Sequence, residues 1–216
     1  VFQQLLNELN ARKVALVAVS KTQPPERVLE LYRQGQRIFG ENRAQELAAK
    51  AAELPKDIVW HLIGHLQTNK VKLVAPVVGM IQSVDSLRLL EEIERQAAAH
   101  NRVIDCLLQF YIANEETKFG LSESEACSLL ESDAFRQMTH VRICGVMGMA
   151  TFTNDQEQVR GEFRHLRAIF ERLRNQYFPD APHFHEISMG MSSDWQIAAA
   201  EGATMVRIGS LIFGER

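Results

Sequence analysis

Val14-Ala15-Leu16-Val17-Ala18-Val19-Ser20-Lys21-Thr22-Gln23-Pro24-Pro25 is the stretch on which the fold of this chain turns. Six apolar residues, three of them valine, run without a polar break. That is the pattern of a parallel strand covered on both faces, not of a half-solvated one. The paired prolines that follow the serine and lysine suit a helix start, because proline is tolerated in a first turn. The turn lacks the G-x-G-x-x-G by which an open dinucleotide-binding sheet advertises its phosphate site.

Seven runs of similar character recur: Arg37–Gly40, Val59–Gly64, Met80–Val84, Asp105–Ile112, Arg142–Met149, Phe184–Ser188 and Thr204–Gly209. Amphipathic segments alternate with them. Ser86–His100 places Leu87, Leu90, Ile93 and Ala97 on one helical face, and Gln158–Tyr177 does the same with Val159, Phe163, Leu166, Phe170 and Leu173. Ser122-x-x-Glu125 and Ser193-x-x-Gln196 both read as capping boxes. Strands alternating with helices imply parallel pairing through right-handed crossovers. Eight such units in 216 residues predict an α/β fold with one closed (β/α)8 TIM barrel, a single domain over 1–216.

The bulk composition excludes several classes. Lys and Arg number 24 against 27 Asp and Glu, a net charge of −3 without the basic surplus of a nucleic-acid protein. Cys106, Cys127 and Cys144 form neither a C-x-x-C pair nor an even framework, so a reducing cytoplasm is expected. No apolar run approaches a membrane span, and no membrane partner is expected. The chain opens at Val1 within a helix-like pattern, which suggests a true N-terminus a few residues earlier.

Barrel active sites lie at the C-terminal ends of the strands. Those ends carry Lys21, Glu41 with Asn42, Gly64 with His65, Val84 with Asp85, Asn114, Met149 with Ala150, Ser188 to Ser192, and Gly209 with Ser210. Lys21 reads either as a lysine that snorkels to solvent or as a partly desolvated amine ready to condense with an aldehyde. Ser188-Met189-Gly190-Met191-Ser192-Ser193 and Arg207-Ile208-Gly209-Ser210 put glycine and serine after strands seven and eight, where barrels frequently build a phosphate site. Closure of strand eight on strand one brings Lys21 beside that cup. Arg207 shares a strand face with Gly209 and reads either as reaching the mouth or as pairing with Glu186 or Glu41. His61 with His65, and His183 with His185, have no cysteine or acidic cluster beside them, and no metal site is expected. Lys118 reads as a salt-bridging mouth lysine or a second aldehyde carrier.

These residues resemble a known family. Val17-Ala18-Val19-Ser20-Lys21-Thr22, Phe39-Gly40-Glu41-Asn42, Trp60-His61-Leu62-Ile63-Gly64-His65-Leu66-Gln67-Thr68-Asn69-Lys70, Ser83-Val84-Asp85-Ser86, Glu116-Thr117-Lys118-Phe119-Gly120, Ser188-Met189-Gly190-Met191-Ser192 and Val206-Arg207-Ile208-Gly209-Ser210 are similar to the pyridoxal phosphate homeostasis proteins. The resemblance implies a fold-type III barrel like the N-terminal domain of alanine racemase, with pyridoxal 5'-phosphate (PLP) as cofactor. It makes Lys21 the Schiff-base lysine, assigns Ser188, Met189, Gly190, Ser192, Gly209 and Ser210 to the phosphate-binding segments, and sets Arg207 against the pyridine nitrogen and Asn42 on the pocket wall. Gln109-Phe110-Tyr111-Ile112 and Arg43-Ala44 depart from the family pattern.

An arginine at the pyridine nitrogen keeps that nitrogen unprotonated, because two cations do not share one hydrogen bond. The expectation is therefore a monomeric, cytoplasmic PLP carrier in vitamin B6 and amino-acid homeostasis, with PLP-dependent apoenzymes as its partners. The alternative is a weak PLP-dependent amino-acid racemase or decarboxylase.

Overall fold

A computed structural model describes residues 1–113 and 119–214. Asn114 and Lys118, both read from sequence as mouth residues, lie outside the described residues.

The apolar runs form eight parallel strands: β1 (Ala15–Val19), β2 (Ile38–Glu41), β3 (Val59–Leu62), β4 (Val78–Val84), β5 (Ile104–Gln109), β6 (Val141–Met147), β7 (Glu186–Ser188) and β8 (Met205–Ile208). They pair in sequence order and close into a barrel, β8 returning to β1 with Val17 opposite Arg207 and Ala18 opposite Ile208. The (β/α)8 reading therefore holds. The two prolines sit as expected, Pro24 capping and Pro25 opening α2 (Pro25–Arg33), which follows the N-terminal α1 (Phe2–Ala11). The remaining helices are α3 (Ala44–Glu53), α4 (Val71–Val74), α5 (Leu87–Ala99), α6 (Glu123–Glu131), α7 (Asp133–Arg136), α8 (Gln156–Tyr177), α9 (Trp195–Ala200) and α10 (Ser210–Phe213).

Two cores result. The larger lies between the sheet and the helices, where Leu47, Leu90, Ile93, Phe163 and Leu166 are fully buried. Each such side chain contributes about 1.5–3 kcal/mol by leaving water. The smaller fills the barrel lumen with Val17, Met80, Leu107, Cys144, Met147 and Met205. Its sulfur-rich content suits an irregular interior, since methionine adapts to gaps that branched side chains leave. Burial pushes the Cys144 thiol up to about 12 and Cys106 well above its ordinary value, so both remain protonated packing groups.

Local signals are mostly obeyed. Ser122 and Glu125 form a reciprocal capping box at α6, and Ser86 caps α5 through the Leu89 amide. The box read at Ser193 and Gln196 does not form. Asp194 occupies the cap position of α9 without a side-chain capping bond, and its Oδ1 instead accepts from the Met191 amide at 2.6 Å. The carboxylate is better used tightening the β7 loop than capping a helix of six residues.

Candidate functional site

Lys21 follows β1 in a tight turn, closed by the Gln23 amide donating to the Ser20 carbonyl at 3.0 Å. Thr22 takes a left-handed φ of 64° there, costly for a β-branched residue. The turn delivers Lys21 to a cavity of about 780 Å³, within the size range of small-ligand sites. Asn42, His65, Ser192, Arg207, Gly209 and Ser210 line the same cavity. The walls are completed by Ile63, Gln109, Met149, Met191 and Phe213, and by the exposed rings Phe119 and Phe152.

The floor is polar. Arg207 is 4% exposed, and its guanidinium donates to Ser188 Oγ at 2.6 Å and to the Gly148 carbonyl at 3.0 Å. Ser188 Oγ in turn donates to Gln82 Oε1 at 2.6 Å, and Gln82 Nε2 donates to His61 Nδ1 at 2.8 Å. The amide is a donor here, so His61 accepts through Nδ1 and is neutral. Burial lowers its pKa to about 4, which agrees. Burial also lowers Arg207 to about 10, against the opposing pull of Asp194, and the guanidinium stays charged at neutral pH. Glu186 and Glu41, the carboxylates considered from sequence, bond elsewhere. Glu186 accepts from Thr204 Oγ1, and Glu41 from Ser20 and Lys50.

The loops after β7 and β8 meet where the backbone amide of Gly209 donates to Ser192 Oγ at 3.4 Å. Gly190 has φ +96°, and a Cβ there would stand 2.5 Å from the Ala198 methyl, so glycine is required for the loop to pack on α9. Ser188 and Met189 are fully buried, and neither they nor Gly190 line the cavity. Six of the nine residues read from sequence thus share the cavity, and the other three stand behind it. At the opposite rim His65 stacks on Phe119 with centroids 3.8 Å apart, and its Nδ1 lies 3.1 Å from Asp85 Oδ2. Among the described residues no group of three or more His, Cys, Asp or Glu could hold a metal.

The family model for the alanine racemase N-terminal domain matches residues 2–216. Pyridoxal phosphate homeostasis proteins of Aquifex aeolicus (strain VF5) and Homo sapiens are 41% and 39% identical to the chain over 202 and 219 residues. The matches cover 93% and 97% of this chain and 86% and 79% of those proteins. The chain belongs to the pyridoxal phosphate homeostasis protein family. Among solved structures, PipY of Synechococcus elongatus PCC7942 without PLP superposes with a TM-score of 0.89 at 37% identity, covering 98% of this chain and 99% of that one. The same protein with PLP bound gives 0.85 at 36% identity, with the same coverage. Alanine racemase from Bartonella henselae with covalently bound pyridoxal phosphate gives 0.69 at 15% identity, covering 97% of this chain and 57% of that one. That last likeness is one of fold alone.

Within this homeostasis-protein barrel, sequence reading missed Gln82, because a polar residue inside an apolar run does not reveal which face it takes. It also missed Phe152 and Phe213, which come from segments without a strand-end signature.

Proposed function

We propose that this chain binds PLP at the barrel mouth and serves vitamin B6 and amino-acid homeostasis by holding the cofactor on Lys21 without robust catalysis. What carries the reading is one cavity that joins an amine, Lys21, to a buried guanidinium, Arg207, whose hydrogen-bonded partners are neutral. The family, and a relative solved with PLP bound, support it.

The donor set suits the cofactor. PLP, when bound, supplies an aldehyde that condenses with an amine and a ring that draws electrons from it. Lys21 provides the amine. Ser192, Gly209 and Ser210 offer hydroxyls and backbone amides at the cup formed by the two loops, which fits a phosphate. Arg207 has five N–H donors, two of which bond Ser188 and the Gly148 carbonyl, and it keeps its proton at neutral pH. Set against the pyridine nitrogen, as the family resemblance implies, it would donate a hydrogen bond and supply no proton to that atom. That would weaken the electron draw on which racemisation and decarboxylation depend. Asn42 and His65 stand on the facing wall.

The same proposal takes residues 1–216 as one barrel domain, monomeric and cytoplasmic, that exchanges PLP with PLP-dependent apoenzymes. Free Cys106, Cys127 and Cys144 fit a reducing compartment, and no helix of the described residues is long and apolar enough to cross a membrane. The test titrates the protein with PLP and follows the visible absorbance of the bound cofactor, then measures solvent-deuterium incorporation at Cα of a panel of amino acids. A saturable spectral change lost in Lys21→Ala, with no multiple-turnover exchange, is expected. Exchange over many turnovers that disappears in Lys21→Ala overturns the carrier reading in favour of a racemase or decarboxylase.

A further inference from the structure

The turn that presents Lys21 is gripped from the side away from the cavity. Lys50, on α3, is 5% exposed, unusual for a lysine. Its ammonium donates to the Ser20 carbonyl at 2.7 Å, to Glu41 Oε1 at 2.7 Å and to Glu46 Oε1 at 2.8 Å. Both carboxylates then reach the residues on either side of Lys21. Ser20 Oγ donates to Glu41 Oε1 at 2.6 Å, and the Thr22 amide donates to Glu46 Oε1 at 2.6 Å. One ammonium and two carboxyl groups therefore fix the residue before Lys21 and the residue after it, while Lys21 itself faces the cavity.

We propose that Lys50, through Glu41 and Glu46, is a positioning residue for Lys21. The proposal rests on the reading that Lys21 takes the cofactor aldehyde. Docking α3 on the barrel does not require this device, since Leu47 and Ala51 of the same helix already pack in the core. A buried ion cluster is an expensive way to add adhesion. What the cluster does that apolar packing cannot is hold polar backbone groups in place. The left-handed Thr22 is the residue that needs it: its amide is tied to Glu46, and its strain persists only while the surroundings enforce it. Released, the turn relaxes, and the Lys21 amine loses its alignment with an aldehyde anchored at the β7 and β8 loops.

Two ligands separate positioning from general structural support. PLP carries the aldehyde, while pyridoxine 5'-phosphate keeps the ring and phosphate with an alcohol in its place, so only PLP needs an aligned Lys21. Affinities for both are measured on the full chain in wild type, Lys50→Met, Glu46→Ala and Lys21→Ala. Lys50→Met is expected to weaken PLP about 10- to 100-fold and Glu46→Ala about 3- to 10-fold, with pyridoxine 5'-phosphate changed by less than about 2-fold in either. Parallel weakening of both ligands, or unchanged PLP affinity in both variants, overturns the proposal. If Lys50→Met does not fold, Glu46→Ala, at a partly exposed site, decides alone by the same criteria. Wild type that binds PLP no better than Lys21→Ala removes the aldehyde reading, and this inference with it. Wild type that outperforms Lys21→Ala while every folded variant of Lys50 and Glu46 matches wild type on PLP overturns the positioning role alone.

Discussion

Two buried polar clusters flank the cavity, and they are built on opposite principles. Behind Lys21, between β2 and α3, the Lys50 ammonium lies within hydrogen-bond distance of two carboxylates. Under the cavity floor, across β3, β4, β7 and β8, the Arg207 guanidinium is bonded among the described residues to a hydroxyl and a carbonyl, and the chain behind it ends at a neutral histidine. A buried charge is tolerable when an opposite charge or enough hydrogen bonds answer it. The first cluster answers its cation with charged groups of the same chain, although among the described residues Glu41 Oε2 is left without a hydrogen-bond partner, and suits a structural grip. The second keeps a cation that is hydrogen-bonded by neutral groups and feels the Asp194 carboxylate only through space, and with a cavity wall beside it this arrangement suits an acceptor that arrives from outside. The difference separates what holds the site from what binds in it.

Substitutions on the two sides should differ in size. Lys50→Met leaves Glu41 and Glu46 without their cation in a site where Glu41 is fully buried. Removing one partner of a buried pair costs about 3–5 kcal/mol, read by chemical denaturation of the cofactor-free protein. A loss below about 1 kcal/mol would mean that the charged side is no more closed than the floor.

The pH response distinguishes the clusters next. His61 titrates at about 4 in the folded protein, below its ordinary value of 6.5. The unfolded chain therefore binds a proton in that window that the folded chain does not, and stability falls as pH drops from 6.5 toward 4. The full effect is about 3 kcal/mol. His61→Gln keeps an acceptor for Gln82 and should flatten this part of the profile relative to wild type. Glu46 on the charged side has a lowered pKa despite its burial, because it accepts from Lys50 and from the Thr22 amide. Its stabilisation is present above its unfolded pKa and is lost only at more acid pH. Glu41 has the opposite sign, since burial raises its pKa, and it offsets part of the acid loss.

Gln82→Leu removes the link between Ser188 and His61, leaving the Ser188 hydroxyl proton and the His61 ring nitrogen without that partner while Ser188 Oγ still accepts from Arg207. A loss of about 1–3 kcal/mol is expected. The smallest change is Ser188→Ala, about 1 kcal/mol, because Arg207 retains its bond to the Gly148 carbonyl. If Ser188→Ala instead costs more than Gln82→Leu, the floor is not a relay ending on His61.

The floor was partly legible in the sequence and the grip was not. Arg207, Gly209 and Ser210 stand at the end of a clear β-run, and Lys21 at the end of another, so strand counting and closure place them together. Glu46 and Lys50 are four apart on a helix, a spacing that ordinarily marks a solvated surface pair. Nothing local tells that the barrel covers it. Glu41 was read as a mouth residue and a partner for Arg207, but a strand turns successive residues to opposite faces. Gly40 faces the lumen, close to Val17 and Ile63, and Glu41 turns outward to α3. Ser193-x-x-Gln196 fits a capping pattern equally well whether or not Asp194 is drawn into the loop, and the Met191 amide made that choice.

Borohydride reduction of the protein mixed with PLP, followed by mass analysis of the peptides, tests the central claim most directly. A single phosphopyridoxyl group on the peptide carrying Lys21, absent from Lys21→Ala, is the expected result. No adduct on that peptide, or an adduct that persists on another lysine at the same level in Lys21→Ala, would contradict it.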